Sequence, residues 1–186
     1  KLSFLGFYCK MFKKKNKFNE DPVSFNKSGG IEAPPEKIIN IKIQPPAIFA
    51  ISLLLGLILN YFFIKLESNL AFVFPLGCIV SVFGIFINMW SMNKYRLYKT
   101  SPHPKHQAFK LITDGPYKFS RNPLYLGTFL MIFGFGLASD LMFICISSII
   151  SLVLINFFVV LPEENYLEDL FGDTFRSYKI KVRRWL

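Results

Sequence analysis

Four long blocks of this chain carry no charge at all. Ala47–Ile64, Leu70–Trp90, Leu124–Leu137 and Leu141–Leu161 contain no Asp, Glu, Lys or Arg. All 22 Lys and Arg residues lie between or outside them. Uncharged apolar runs near 20 residues match the ~30 Å hydrocarbon core of a bilayer when wound as helix. The expected fold class is therefore all-α, a polytopic integral membrane protein with about four transmembrane helices. The composition agrees, with 52% hydrophobic residues and 22 phenylalanines against 18% charged.

The formal charge of +10 raises the question of nucleic acid. No stacking platform or recognised motif accompanies it, so no nucleic-acid partner is expected. The basic residues flank apolar blocks, where they meet anionic headgroups, so membrane lipid is the expected partner. Cys9, Cys78 and Cys145 are scattered and give no disulfide framework or metal spacing. His103 and His106 have no neighbouring acid or cysteine, so no metal site is expected.

Three regions follow. Residues 1–46 form a polar, basic arm with Lys13–Lys17 as its densest run, and no cleavable signal peptide is apparent in it. Residues 47–90 hold two transmembrane helices, with Gly77 and Gly84 permitting close helix approach. Residues 91–186 comprise a polar connection at Ser91–Asn122, a helical hairpin and an amphipathic tail. The first hairpin arm, Leu124–Leu137, is about 14 residues, roughly 21 Å of helix. Ser139-Asp140 makes the turn. In the tail, Leu167, Leu170, Phe171, Phe175, Tyr178 and Val182 recur at helical spacing, with a break expected at Gly172. This reads as an interfacial helix with an aromatic anchor at Trp185. Every Lys and Arg but Lys65 falls on one side of a four-segment topology. That places both ends of the chain, and the connection, in the cytoplasm.

Asp114–Gly127 is the anomaly. Its prolines, glycines, tyrosines and arginine make a polar elbow against an apolar run, and irregular backbone at a membrane persists only where protein or a polar cavity surrounds it. The hairpin returns Glu163-Glu164 to the level of Arg121, and ionisable groups at such boundaries are paired, wet or functional. A purely structural Arg–Glu pair satisfies the same spacing. Adjacent glutamates point in different directions on a helix, so one is expected to face inward.

The elbow, the glutamates, Phe171–Tyr178 and Val182-Arg183-Arg184-Trp185 occur in an order that resembles the membrane-embedded methyltransferases. That family includes isoprenylcysteine carboxyl methyltransferase and the phospholipid methyltransferases. The resemblance covers roughly Pro102–Leu186, and departs from the pattern at Asn122, where many members carry histidine. It implies an S-adenosylmethionine-dependent methyltransferase of the carboxyl O-methyltransferase kind, acting on a lipophilic small molecule, lipid or prenylated substrate. The site would face the cytoplasm, in a bacterial inner membrane or the endoplasmic reticulum. The catalytic candidates are Arg121, Glu163 and Glu164. The cofactor-binding candidates are Gly115, Tyr117, Arg121, Asn122, Pro123, Tyr125, Gly127, Glu163 and Glu164. The elbow shows no neutral base, which favours a carboxyl, thiol or phenolic acceptor over an amine. Two other readings stand beside this one: a membrane reductase of related architecture using NADPH, and a non-catalytic membrane scaffold.

Overall fold

Prolines mark helix starts throughout, because the first turn has no use for their missing N–H. The computed structural model describes residues 44–63, 72–98 and 111–186, all within one compact unit, Pro34–Leu186. The arm up to residue 43, the connection at 65–69 and the His103/His106 pair lie outside the described residues. Pro45 and Pro46 open α1 (Pro45–Phe62), and α2 runs from Val73 to Leu97. A 3₁₀ turn covers Gly115–Lys118 around Pro116, and Pro123 opens α3 (Pro123–Ala138). The elbow is thus less broken than its composition suggests, since it ends inside a helix. α4 (Met142–Ile155) continues through a π turn at Asn156–Val160 into α5 (Leu161–Phe171). Gly172, at φ 52°, ends it, and α6 (Asp173–Lys181) follows.

Two boundaries differ from expectation. α2 continues past Trp90 for seven residues that the sequence places in a polar connection. Lys94 and Arg96 lie in its last turn, where cations complement the helix dipole, and Lys94 reaches Asp114 at 2.5 Å. Trp185 is not an outward anchor, because it packs, partly buried, against the hydrophobic core.

The described residues include three helices long and apolar enough to cross a membrane, Pro45–Phe62, Val73–Leu97 and Met142–Phe171, with Pro123–Ala138 as a shorter apolar fourth. α3 pairs with α2 and α4, and α1 packs mainly on α4. The core is formed by Ile48 and Phe49 of α1, Tyr125 and Ile132 of α3, and Ile144, Ile155, Val159 and Val160 of the long helix. The opposite faces carry exposed Ile79, Phe83, Phe86 and Phe157, which suits lipid contact.

In a bilayer no hydrophobic difference drives helices together, so packing does. A Cβ on Gly84 would lie 2.5 Å from the Met131 nitrogen and 2.7 Å from the Gly127 carbonyl. One on Gly134 would lie 2.7 Å from the Gly77 carbonyl. Glycines seven apart on both helices therefore bring the backbones of α2 and α3 into contact. Asn88 completes this seam. With its side-chain amide in the orientation that its neighbours satisfy, its nitrogen donates to the Leu124 carbonyl (3.0 Å) and its oxygen accepts from the Thr128 N–H (2.9 Å).

The hairpin turn is a Schellman motif. The Leu141 N–H donates to the Gly136 carbonyl (2.8 Å) and the Asp140 N–H to Leu137 (3.1 Å). Asp140 takes the left-handed position at φ 55°, a conformation its short polar side chain tolerates. The turn sends the long helix back along α3 and sets Glu163-Glu164 beside the elbow.

Candidate functional site

A buried carboxylate gripped by two guanidiniums is the centre of the polar end. Glu164 is only 4% exposed. Its Oε1 receives Arg121 Nη2 at 3.1 Å and Arg184 Nε at 3.1 Å, and its Oε2 receives Arg184 Nη2 at 2.8 Å. Arg184 Nη1 donates to Asn156 Oδ1 in the π turn (3.2 Å). That turn has a local cause. Pro162 cannot donate backward and its ring displaces the carbonyl a turn earlier, and the Leu161 N–H instead meets the Asn156 carbonyl five residues back.

Arg121 is only partly used. Its side chain is 10% exposed, yet Nε and Nη1 are buried with no partner among the described residues. Most buried polar groups are satisfied, so such exceptions need a reason. Its backbone N–H donates to the Arg183 carbonyl (3.0 Å). Ser120 Oγ and Asn122 Nδ2 both donate to the Arg184 carbonyl, at 3.1 and 3.2 Å. The segment after α6 is thereby laced to the elbow.

Glu163 points elsewhere. It accepts a hydrogen bond from Tyr125 Oη at 3.2 Å, and it stands near Tyr117 and Tyr95. The rings of Tyr95 and Tyr117 meet edge to face, centroids 5.9 Å apart. The Tyr117 hydroxyl is buried without a well-formed hydrogen bond, although Tyr95 stands beside it. Burial pushes the Tyr117 phenol well above its ordinary range, so it remains a proton-bearing donor. Its carbonyl accepts Tyr178 Oη from α6 at 2.6 Å, and burial also raises the Tyr178 phenol. Outside this cluster, the hydrogen bond from Lys94 holds the Asp114 carboxyl below its ordinary range.

The structure brings together Arg121 with Glu164, and Tyr125 with Glu163, and sets Tyr117 beside the second pair. Both glutamates are engaged, in different directions. Pro123 is fully buried at the start of α3. Asn122 spends its amide on the Arg184 carbonyl. The two glycines face α2. A Cβ on Gly115, which sits at φ 62°, would lie 2.5 Å from Lys94 Cε, and one on Gly127 would lie 2.9 Å from the Gly84 carbonyl.

The family model described as phospholipid methyltransferase matches residues 72–174, more than half of the chain. The chain belongs to the phospholipid methyltransferase family. An uncharacterized protein of Haemophilus influenzae is 58% identical over 38 residues, 20% of this chain and 60% of that protein. A protein-S-isoprenylcysteine O-methyltransferase of Schizosaccharomyces pombe is 39% identical over 79 residues, 39% of this chain and 30% of that protein. The chain thus spans less than two thirds of the length of either relative. No solved structure matches it.

The stretch matched to the phospholipid methyltransferase family contains the elbow and both glutamates, and it stops before Arg184. Arg184, Asn156 and Tyr95 are the participants that sequence reasoning passed over. Val182–Trp185 stands out in the sequence, but nothing local shows that Arg184 turns inward. Asn156 had one signal, an amide in a block whose other polar residues are the serines at 147, 148 and 151.

Proposed function

We propose that this chain is an integral membrane methyltransferase that uses S-adenosylmethionine and modifies a lipophilic acceptor at the cytoplasmic face. The observation that carries the reading is the unused donors of Arg121, the buried Nε and Nη1 without a partner among the described residues, next to a second acid. A guanidinium edge is matched to a carboxylate. Glu163, held by a single tyrosine hydroxyl, suits an ammonium or a pair of ribose hydroxyls. The donor set therefore fits an amino-acid zwitterion joined to a nucleoside. When bound, S-adenosylmethionine supplies a methyl group on a sulfonium, transferable by in-line displacement.

The residues of the chain align and enclose. Arg121 and Glu163 orient the two ends of the ligand, and the tyrosine faces at 117 and 125 attract positive charge. The buried hydroxyl of Tyr117 donates. Family membership and the isoprenylcysteine methyltransferase relative support methyl transfer to a lipid or prenylated acceptor. The distribution of Lys and Arg supports a cytoplasmic site. A short α3 of 16 residues suits entry of the acceptor from the bilayer.

Calorimetric titration of detergent-purified protein tests the reading. Binding of S-adenosylmethionine or S-adenosylhomocysteine is expected, with Arg121→Ala weakening it by roughly a hundredfold, the equivalent of one or two charged hydrogen bonds. A response to NADPH and to neither adenosyl compound would overturn it in favour of a reductase. Radiolabelled methyl transfer into a membrane extract then separates base-labile esters from labelled headgroups.

A further inference from the structure

Arg121 keeps both Nε and Nη1 free, where an edge-to-edge pair through Nη2 would use one of them, because another residue occupies its partner. An arginine and a carboxylate left to themselves pair edge to edge, with both parallel N–H groups consumed. At Glu164 that two-pronged grip comes from Arg184, whose Nε and Nη2 meet Oε1 and Oε2 at 3.1 and 2.8 Å. Arg121 is left with one contact, Nη2 to Oε1 at 3.1 Å. Two guanidiniums on one carboxylate also leave one positive charge uncancelled beside the free donors.

We infer that Arg184 is a positioning residue: by gripping Glu164 it keeps the Nε and Nη1 donors of Arg121 open for the carboxylate of the cofactor. The inference rests on the methyltransferase reading, which supplies that cofactor. Arg184 is placed from three sides. Its carbonyl accepts Ser120 Oγ and Asn122 Nδ2. The preceding carbonyl accepts the Arg121 N–H. Its guanidinium also reaches Asn156 in the π turn. The elbow, the long helix and the segment after α6 therefore meet at one side chain that the sequence offers only as part of a basic run. Asn122 acquires a task in the same arrangement, fixing the backbone that carries Arg184.

The test is a double-mutant cycle on Arg184 and Glu164, read by titration with S-adenosylhomocysteine and by steady-state kinetics. Arg184→Ala lets Glu164 capture Arg121. Affinity should fall about ten- to a hundredfold, seen as a raised KM for S-adenosylmethionine with kcat at saturation largely kept. Arg184→Ala combined with Glu164→Gln should recover most of the lost affinity, because no carboxylate then competes for Arg121. Arg184→Lys, which keeps the charge without the fork, should fall between, and it carries the test should the alanine variant not fold. A mere brace predicts a double variant at least as weak as the single one, with affinity following the melting temperature, and that result overturns the inference. Unchanged affinity in Arg184→Ala overturns it too, while leaving the methyltransferase reading intact. A wild-type protein that binds neither adenosyl compound sinks both.

Discussion

The seam between α2 and α3 and the polar end of the bundle are built on opposite terms. In the seam, glycine backbones touch and the amide of Asn88 is spent on the Leu124 carbonyl and the Thr128 N–H. At the polar end, two guanidinium nitrogens of Arg121 are buried without a partner among the described residues. A bilayer-embedded contact with no water to fall back on gains most from complete satisfaction. A site that must take up a charged ligand keeps donors in reserve, and natural proteins depart from local rules at such places. One region holds the helices together, and the other spends part of that stability on recognition.

The contrast breaks most visibly at Gly84. Its missing side chain is bounded by backbone atoms, which have no rotamer to change, so Gly84→Leu should separate α2 from α3. An overpacking cost of about 3 kcal/mol or more is expected. Size-exclusion chromatography and melting in detergent should show a collapsed yield of folded protein. A variant with wild-type melting would mean the seam is looser than its 2.5 Å and 2.7 Å approaches indicate. Glu163→Gln should behave in the opposite way. The amide still accepts from Tyr125, so melting should hold to within about 1 kcal/mol. Affinity for the adenosyl compounds should drop about tenfold or more. Parallel losses in melting and binding would make Glu163 a packing residue.

The smallest effect concerns Asp114, at the edge of the polar end. Its folded carboxyl titrates below the ordinary range because Lys94 hydrogen-bonds it. The folded value then lies below the unfolded one. The contribution to stability is complete above the unfolded carboxylate pKa of about 4, and it is lost as pH falls through the lower folded value. Both partners are partly exposed, at 19% and 35%, so solvent screens the pair. Wild type and Asp114→Asn should differ slightly in melting temperature at pH 6 and converge below pH 4. A gap that does not change with pH would remove the ion pair from the account.

Much of this was legible in the residues. Charge-free blocks announce the apolar helices, Pro123 announces the start of α3, Ser139-Asp140 the hairpin turn and Gly172 the break. The approach of Arg121 to the glutamates follows from the hairpin's return. Side-chain direction is what the sequence could not supply. Lys94 and Arg96 look like loop residues because they are charged, yet a helix extends beyond the apolar layer whenever its last turn finds partners. Arg184 resembles its exposed neighbours Lys181 and Arg183, and only tertiary contact turns it inward. Gly127, expected at the cofactor, has its open side filled by α2. Asn122, at the position of a family histidine, is bonded to a carbonyl some sixty residues ahead, a separation no local pattern encodes.

The π turn at Asn156–Val160 has a consequence for length variation. A π turn is one surplus residue inside an α-helix, and one residue advances a helix by about 100°. Everything after Val160 is therefore out of phase with everything before it, and the two glutamates owe their bearings to that offset. Deleting a single residue between 156 and 160 would restore regular winding and leave both carboxylates close to their present bearings, because the residue removed is the one that the π turn absorbs. Glu164 would keep facing its guanidiniums although the helix had lost a residue. A one-residue gap at this point in a homologous sequence would therefore signal a regularly wound helix with the same aim, whereas a gap elsewhere in the helix would turn the two glutamates away.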